Sequence, residues 1–103
     1  MQLHITGHHV DLTDGLKDKV KVSMEKLEKH FDHITHIYVT LNVEKKSHKA
    51  EAKLALTNSS DYIFAEAIED DMYRSIDSLY HKLDRQVIKH KEKIQDHHKK
   101  DLL

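Results

Sequence analysis

Apolar residues alternate with polar ones in four stretches of this chain and recur at helical spacing in two others. In "QLHITG", Leu3 and Ile5 alternate with polar neighbours and the run stops at Gly7, which predicts a short strand. In "DLTDGLKDKVKVSMEKLEKHF", Leu16, Val20, Met24, Leu27 and Phe31 recur in steps of three and four. Thr13 stands where an N-cap oxygen is needed, so the segment predicts an amphipathic helix despite Gly15 in its first turn. Residues 34–45 place Ile37, Val39, Leu41 and Val43 on one face of a second strand and Tyr38, Thr40, Asn42 and Glu44 on the other. A "KKS" corner leads to a third strand, where Ala50, Ala52, Leu54 and Leu56 alternate, and "NSSD" turns the chain into "YIFAEAIE", a fourth. The period then changes. Met72, Ile76, Leu79, Leu83, Val87 and Ile94 lie on one stripe of a helix of about 25 residues, with Asp70 or Asp71 as its N-cap.

The predicted order is β-α-β-β-β-α, and each strand has one apolar face for two helices to cover. The expected fold is α+β, a two-layer sandwich in which a four-stranded sheet carries two helices packed on one face. At 103 residues there is room for one such domain, expected over 1–96, followed by a short polar tail at 97–103. The chain holds no cysteine, no apolar stretch of membrane-spanning length and no apolar signal core in "MQLHITGHH", which suggests a cytoplasmic protein.

Chemistry-bearing motifs are scarce. With two glycines in all, there is no phosphate-cradling loop and no glycine-framed serine, and an enzyme is not expected. The eleven histidines include His30, His33 and His36, but that run crosses from a helix end into a strand and lacks the paired spacing of a metal-binding helix. His8–His9 and His97–His98 suit adventitious capture of transition metals. No required metal or cofactor is expected.

Charge is informative through its placement. The formal net charge is only −1, yet from Thr57 to Asp77 six acids stand against Arg74, a local balance of −5. From Ser78 to Lys100 seven bases stand against three acids, a balance of +4. On a helix, Lys82, Arg85, Lys89 and Lys93 fall within an arc of about 80° along a line of about 16 Å, with Asp84 pointing elsewhere. Such a ridge is either a solvated helix face or a surface that neutralises several phosphates at once. The first helix carries Lys17, Lys19, Lys21, Lys26 and Lys29, but acids interleave with them. Lys45, Lys46, His48 and Lys49 form a further basic patch at the strand corner, and Tyr38, Tyr62 and Phe64 suit stacking on bases if their sheet face is open.

Three stretches carry a resemblance to a known family: "QLHITGHHVDLTDGLKDKV", "VTLNVEKKSHKAEAKL" and "DDMYRSIDSLYHKLDRQVIKHKEKI". Together they resemble the ribosome hibernation promoting factor and ribosome-associated inhibitor family over essentially the whole chain. The most specific piece is the spaced series Asp71-Met72-Tyr73, Ile76-Asp77, Lys82-Leu83, Arg85-Gln86 and Lys89-His90-Lys91.

The resemblance implies binding to the small (30S) ribosomal subunit and its 16S rRNA, in the channel used by transfer and messenger RNA. It also implies inhibition of translation when growth stops. Because only "QDHHKKDLL" follows Ile94, the short hibernation-promoting type is expected, with ribosome modulation factor as the partner that helps pair inactive ribosomes. Carried over by position, the rRNA-binding residues are Lys82, Arg85, Gln86, Lys89, Lys91 and Lys93 on the second helix, Lys26 and Lys29 on the first, and Lys45 at the corner. No catalytic residue, small-molecule substrate or membrane is implied. Two other readings of the same residues are a stand-alone double-stranded RNA-binding protein and a regulatory module that binds a protein through the acidic block.

Overall fold

The structure is a computed structural model that describes the backbone of residues 1–102 and the side chains of residues 1–92. Its elements run β1 (Gln2–His8), α1 (Asp14–His30), β2 (Ile34–Glu44), β3 (Ser47–Leu56), β4 (Tyr62–Glu69) and α2 (Met72–Leu102). This is the predicted order. The strands form one sheet in the order β1-β2-β3-β4. β1 and β2 are parallel, as a connection through a helix permits, while the two short turns make β2–β3 and β3–β4 antiparallel. The sheet is therefore mixed, a detail that periodicity does not reveal.

Register turns the alternation of each strand into rows across the sheet. Leu3, Ile37, Leu54 and Ile63 form one such row, and Ile5, Val39, Ala52 and Ala65 the next. These rows face the helices. α2 packs over β3 and β4, and α1 lies beside α2 and reaches β2. The stripes meet there: Leu16, Val20, Met24, Leu27 and Phe31 of the first helical segment, and Met72, Ile76, Leu79, Leu83 and Val87 of α2, are all buried. Each such side chain contributes about 1.5–3 kcal/mol of transfer free energy on burial. Ile94, the last residue of the expected stripe, lies outside the described side chains.

Both helix starts are capped by the residues the sequence nominates. Thr13 Oγ1 accepts from the Leu16 amide at 3.2 Å, and Asp71 Oδ1 accepts from the amides of Tyr73 at 2.8 Å and Arg74 at 3.2 Å. Asp71 is thus the cap, and Asp70 instead pairs with Arg74. Ser75 is a buried hydroxyl in the first turns of α2. It donates to the His48 carbonyl at 2.5 Å, which fastens the start of the helix to the start of β3. The α2 backbone stays helical as far as Leu102, beyond the length of about 25 residues that the apolar stripe predicts.

Candidate nucleic-acid interface

The sides of α2 have distinct tasks, and these explain what its charged residues can do. On the side toward α1, Asp77 pairs with Lys19 at 2.6 Å and Asp84 with His30 Nδ1 at 2.9 Å. Lys91 Nζ donates to the His30 carbonyl at 3.0 Å, satisfying an orphan group at the end of α1, and His90 meets the Phe31 ring edge-on. On the side toward β4, Lys82 Nζ donates to the Glu66 carbonyl at 2.8 Å and Gln86 Nε2 to the Phe64 carbonyl at 2.7 Å. Arg85 and Lys89 are exposed on the outer surface and have no ion-pair partner among the described residues. Of the acids near them on the helix, Asp77 and Asp84 are engaged with α1, and the exposed Glu92 follows Lys89 by three residues.

The residues expected to bind rRNA accordingly fall into groups. Among the described residues Arg85 and Lys89 are free cations, and Lys82 lies with them on the same flank. Its ammonium retains two further donors after serving Glu66. Gln86 and Lys91 hold main-chain carbonyls, and the Lys93 side chain lies outside the described residues. Lys26 and Lys29 are exposed on α1. By helical phase Lys26 falls within about 40° of Lys19 and His30, so it borders the seam between the helices. Lys45 occupies the β2–β3 turn with φ 55°. That turn adjoins the start of α2, where Ser75 holds His48, so Lys45 is not brought to Arg85, ten residues or about 15 Å further along the helix.

The carbonyl-binding roles of Lys82, Gln86 and Lys91 join residues far apart in sequence, and no local pattern announces them. The ring ladder on the uncovered sheet face is hidden for the same reason. His4 stacks on Tyr38 at 4.8 Å between centroids with planes 10° apart, and His36 joins the stack, because the parallel register sets His4 opposite Tyr38. Tyr38, Tyr62 and Phe64 are exposed on that face, as alternation implies. Among the described residues, no group of three His, Cys, Asp or Glu side chains is arranged to hold a metal ion, and no helix is long and apolar enough to cross a membrane.

Comparison with known proteins adds the family. Residues 3–95 match the model described as sigma 54 modulation protein / S30EA ribosomal protein. A ribosome hibernation promoting factor of Azotobacter vinelandii is 48% identical over 93 residues, covering 90% of this chain and 85% of that protein. The protein of the same name from Escherichia coli strain K12 is 44% identical over 97 residues, covering 94% of this chain and 100% of its own length. Among solved structures, a ribosomal subunit interface protein from Coxiella burnetii superposes with a TM-score of 0.82 at 30% identity, covering 89% of this chain and 99% of that one. The N-terminal domain of Thermus thermophilus Protein Y gives a TM-score of 0.76 at 25% identity, covering 84% of this chain and 96% of that one.

Proposed function

The chain belongs to the sigma 54 modulation protein / S30EA ribosomal protein family, and from that premise we propose that it is a ribosome hibernation factor acting in the cytoplasm. In this reading it binds the small ribosomal subunit in the channel for transfer and messenger RNA, excludes those ligands by occupying their space, and promotes pairing of inactive ribosomes together with ribosome modulation factor. The observation that carries the RNA-binding part is the freedom of Arg85 and Lys89 on the outer side of α2. Asp77 and Asp84 turn toward α1. Although the exposed Glu92 lies one turn beyond Lys89, the cations Lys82, Arg85 and Lys89 outnumber it along this side of α2, so the local field is positive although the chain as a whole is not. Lys82 extends the line toward β4, and Lys26 and Lys29 extend the basic area across α1. Phosphate contacts of this kind position a protein without reading base sequence, so specificity comes from the shape of a preformed RNA cavity.

The experiment is co-sedimentation with vacant ribosomes through sucrose gradients at low and moderate salt, with and without ribosome modulation factor. The protein is expected with the small subunit, and a heavier paired-ribosome peak is expected when the factor is added. Replacing Lys82, Arg85 and Lys89 together by Glu should abolish comigration. A folded triple variant that still comigrates overturns the ridge as the binding surface. Each ridge cation removed singly should lower the slope of log affinity against log salt by about 1. Tight binding of naked RNA duplex with no preference for ribosomes would favour the stand-alone double-stranded RNA reading instead.

A further inference from the structure

The helix-free face of the sheet divides into two halves of opposite character. Toward the start of β4, two rows cross the strands: Gln2, His36, Ala55 and Tyr62, then His4, Tyr38, Lys53 and Phe64. These rows hold no carboxylate, and their one permanent charge is Lys53. Toward the other end, Glu51 and Glu66 lie opposite each other, with Lys49 close to both. The aromatic half is exposed, with Tyr38 at 43%, Phe64 at 49% and Tyr62 at 57%. Aromatic side chains of this size left on a sheet face need an occupant or a reason.

We propose that this aromatic half is a second RNA-binding surface, a stacking platform for unpaired bases. Three features point to RNA. First, the rings are already ordered: His4, His36 and Tyr38 form a parallel stack with interplanar angles of 10–21°, so a base adds to a preorganised face. Second, Lys53 Nζ sits 3.9 Å from the centroid of the Tyr62 ring. A cation is therefore fixed among the rings, where the phosphate between stacked bases would lie. Third, the platform is continuous with the basic ridge. α2 runs against β4 so that Lys82 meets Glu66 and Gln86 meets Phe64. By helical phase Lys89 follows Lys82 within about 20° on the same flank, two turns further toward the end of the sheet where β4 starts. An RNA strand on the ridge can thus pass round the β4 edge and lay its next bases on Phe64, Tyr62 and Tyr38. The ridge binds phosphates and the platform binds base faces, so unpaired nucleotides are the class recognised. The proposal takes the RNA to be ribosomal from the reading above, but the platform itself is testable without ribosomes.

The test titrates the intact protein with a short unstructured RNA oligonucleotide and with the same sequence as a duplex, at low salt, by fluorescence anisotropy and by amide chemical-shift mapping. The single strand should bind more tightly than the duplex and shift the amides of Tyr38, Lys53, Tyr62 and Phe64. Tyr38→Thr and Phe64→Thr, which keep a strand-forming residue, should each weaken the single strand about five- to a hundredfold, the range that one lost base–aromatic stack implies. Unchanged affinity in the folded variants, preference for the duplex, absence of binding, or shifts confined to α2 would each overturn the platform. Variants that lose ribosome comigration but keep oligonucleotide affinity would reassign the face to a protein contact and overturn it too. Should the variants misfold, the shift map of the unaltered protein decides alone. A protein that binds the single strand in this way yet ignores ribosomes would refute the ribosomal reading while leaving the platform standing.

Discussion

Lys82 Nζ donates to the main-chain carbonyl of Glu66 at 2.8 Å, so a member of the basic ridge also closes the free edge of the sheet. β4 is an edge strand, and its outward carbonyls would otherwise invite another strand. Gln86 serves Phe64 in the same way one helical turn later. Stability and RNA binding therefore overlap at Lys82 and separate at its neighbours, Gln86 serving the first and Arg85 and Lys89 the second. Lys82→Met and Gln86→Leu should each cost up to about 1 kcal/mol in urea unfolding, the scale of one exposed hydrogen bond. Arg85→Glu and Lys89→Glu should leave the unfolding midpoint nearly unchanged while sharply weakening ribosome comigration. A midpoint loss for Arg85→Glu as large as that for Lys82→Met would contradict this division.

Much of the fold is legible in the sequence because its signals are local. The alternation at Ile37–Val43, the three- and four-residue steps from Leu16 to Phe31, and the caps Thr13 and Asp71 each specify an element without reference to the rest. The exposed cations Arg85 and Lys89 are legible too, since helical phase alone sets them off the apolar stripe. The second role of Lys82, Gln86 and Lys91 is not, because their acceptors at Glu66, Phe64 and His30 are fixed by how α2 docks. The stacking of His4 on Tyr38 depends on a parallel register between strands separated by a whole helix, which no window of sequence contains.

The two glycines should respond differently to alanine. A Cβ on Gly7 would stand 2.9 Å from the Val10 carbonyl oxygen and 3.0 Å from Leu12 Cγ. The carbonyl belongs to the loop backbone leading into α1 and cannot swing aside, so Gly7→Ala should cost about 1–3 kcal/mol. At Gly15 the obstacle is the Tyr73 hydroxyl, 2.6 Å away, the far end of an exposed side chain that can rotate. There alanine also gains helix propensity of up to about 1 kcal/mol, so Gly15→Ala should be near neutral. Thermal unfolding of both variants checks the order. Equal losses would mean that the Tyr73 ring is as firmly held as the backbone.

Tyr80 carries a pH dependence. Burial pushes its phenol above the ordinary value, and the nearby Asp84 carboxylate adds to the shift. The folded state thus holds the proton more tightly than the unfolded chain does. Its contribution to stability is complete below about pH 10, where the unfolded phenol is still neutral, and is lost as pH rises through the folded value. Tyr80→Phe removes the group that must ionise. The variant should therefore show a shallower fall of stability above about pH 10 than the unaltered protein, read from urea midpoints across that range. Indistinguishable alkaline limbs would exclude Tyr80 as a source of the loss.

At the other end of the sheet, Lys45 holds a left-handed backbone with φ 55° in the two-residue link between Glu44 and Ser47. A lysine gains nothing from that conformation, which costs a residue with a Cβ about 1 kcal/mol and glycine almost nothing. Lys45→Gly should therefore raise stability by about that amount, whereas Lys45→Ala keeps the Cβ and should not. If the lysine is there to reach a phosphate, the more stable glycine variant should bind ribosomes less tightly and with a shallower salt dependence. The alanine variant should lose the same affinity without the gain in stability. Paired measurements of melting temperature and comigration across a salt series decide it. A glycine variant that is both more stable and fully competent would remove Lys45 from the interface and leave the contact surface to the helices and the sheet face beside them.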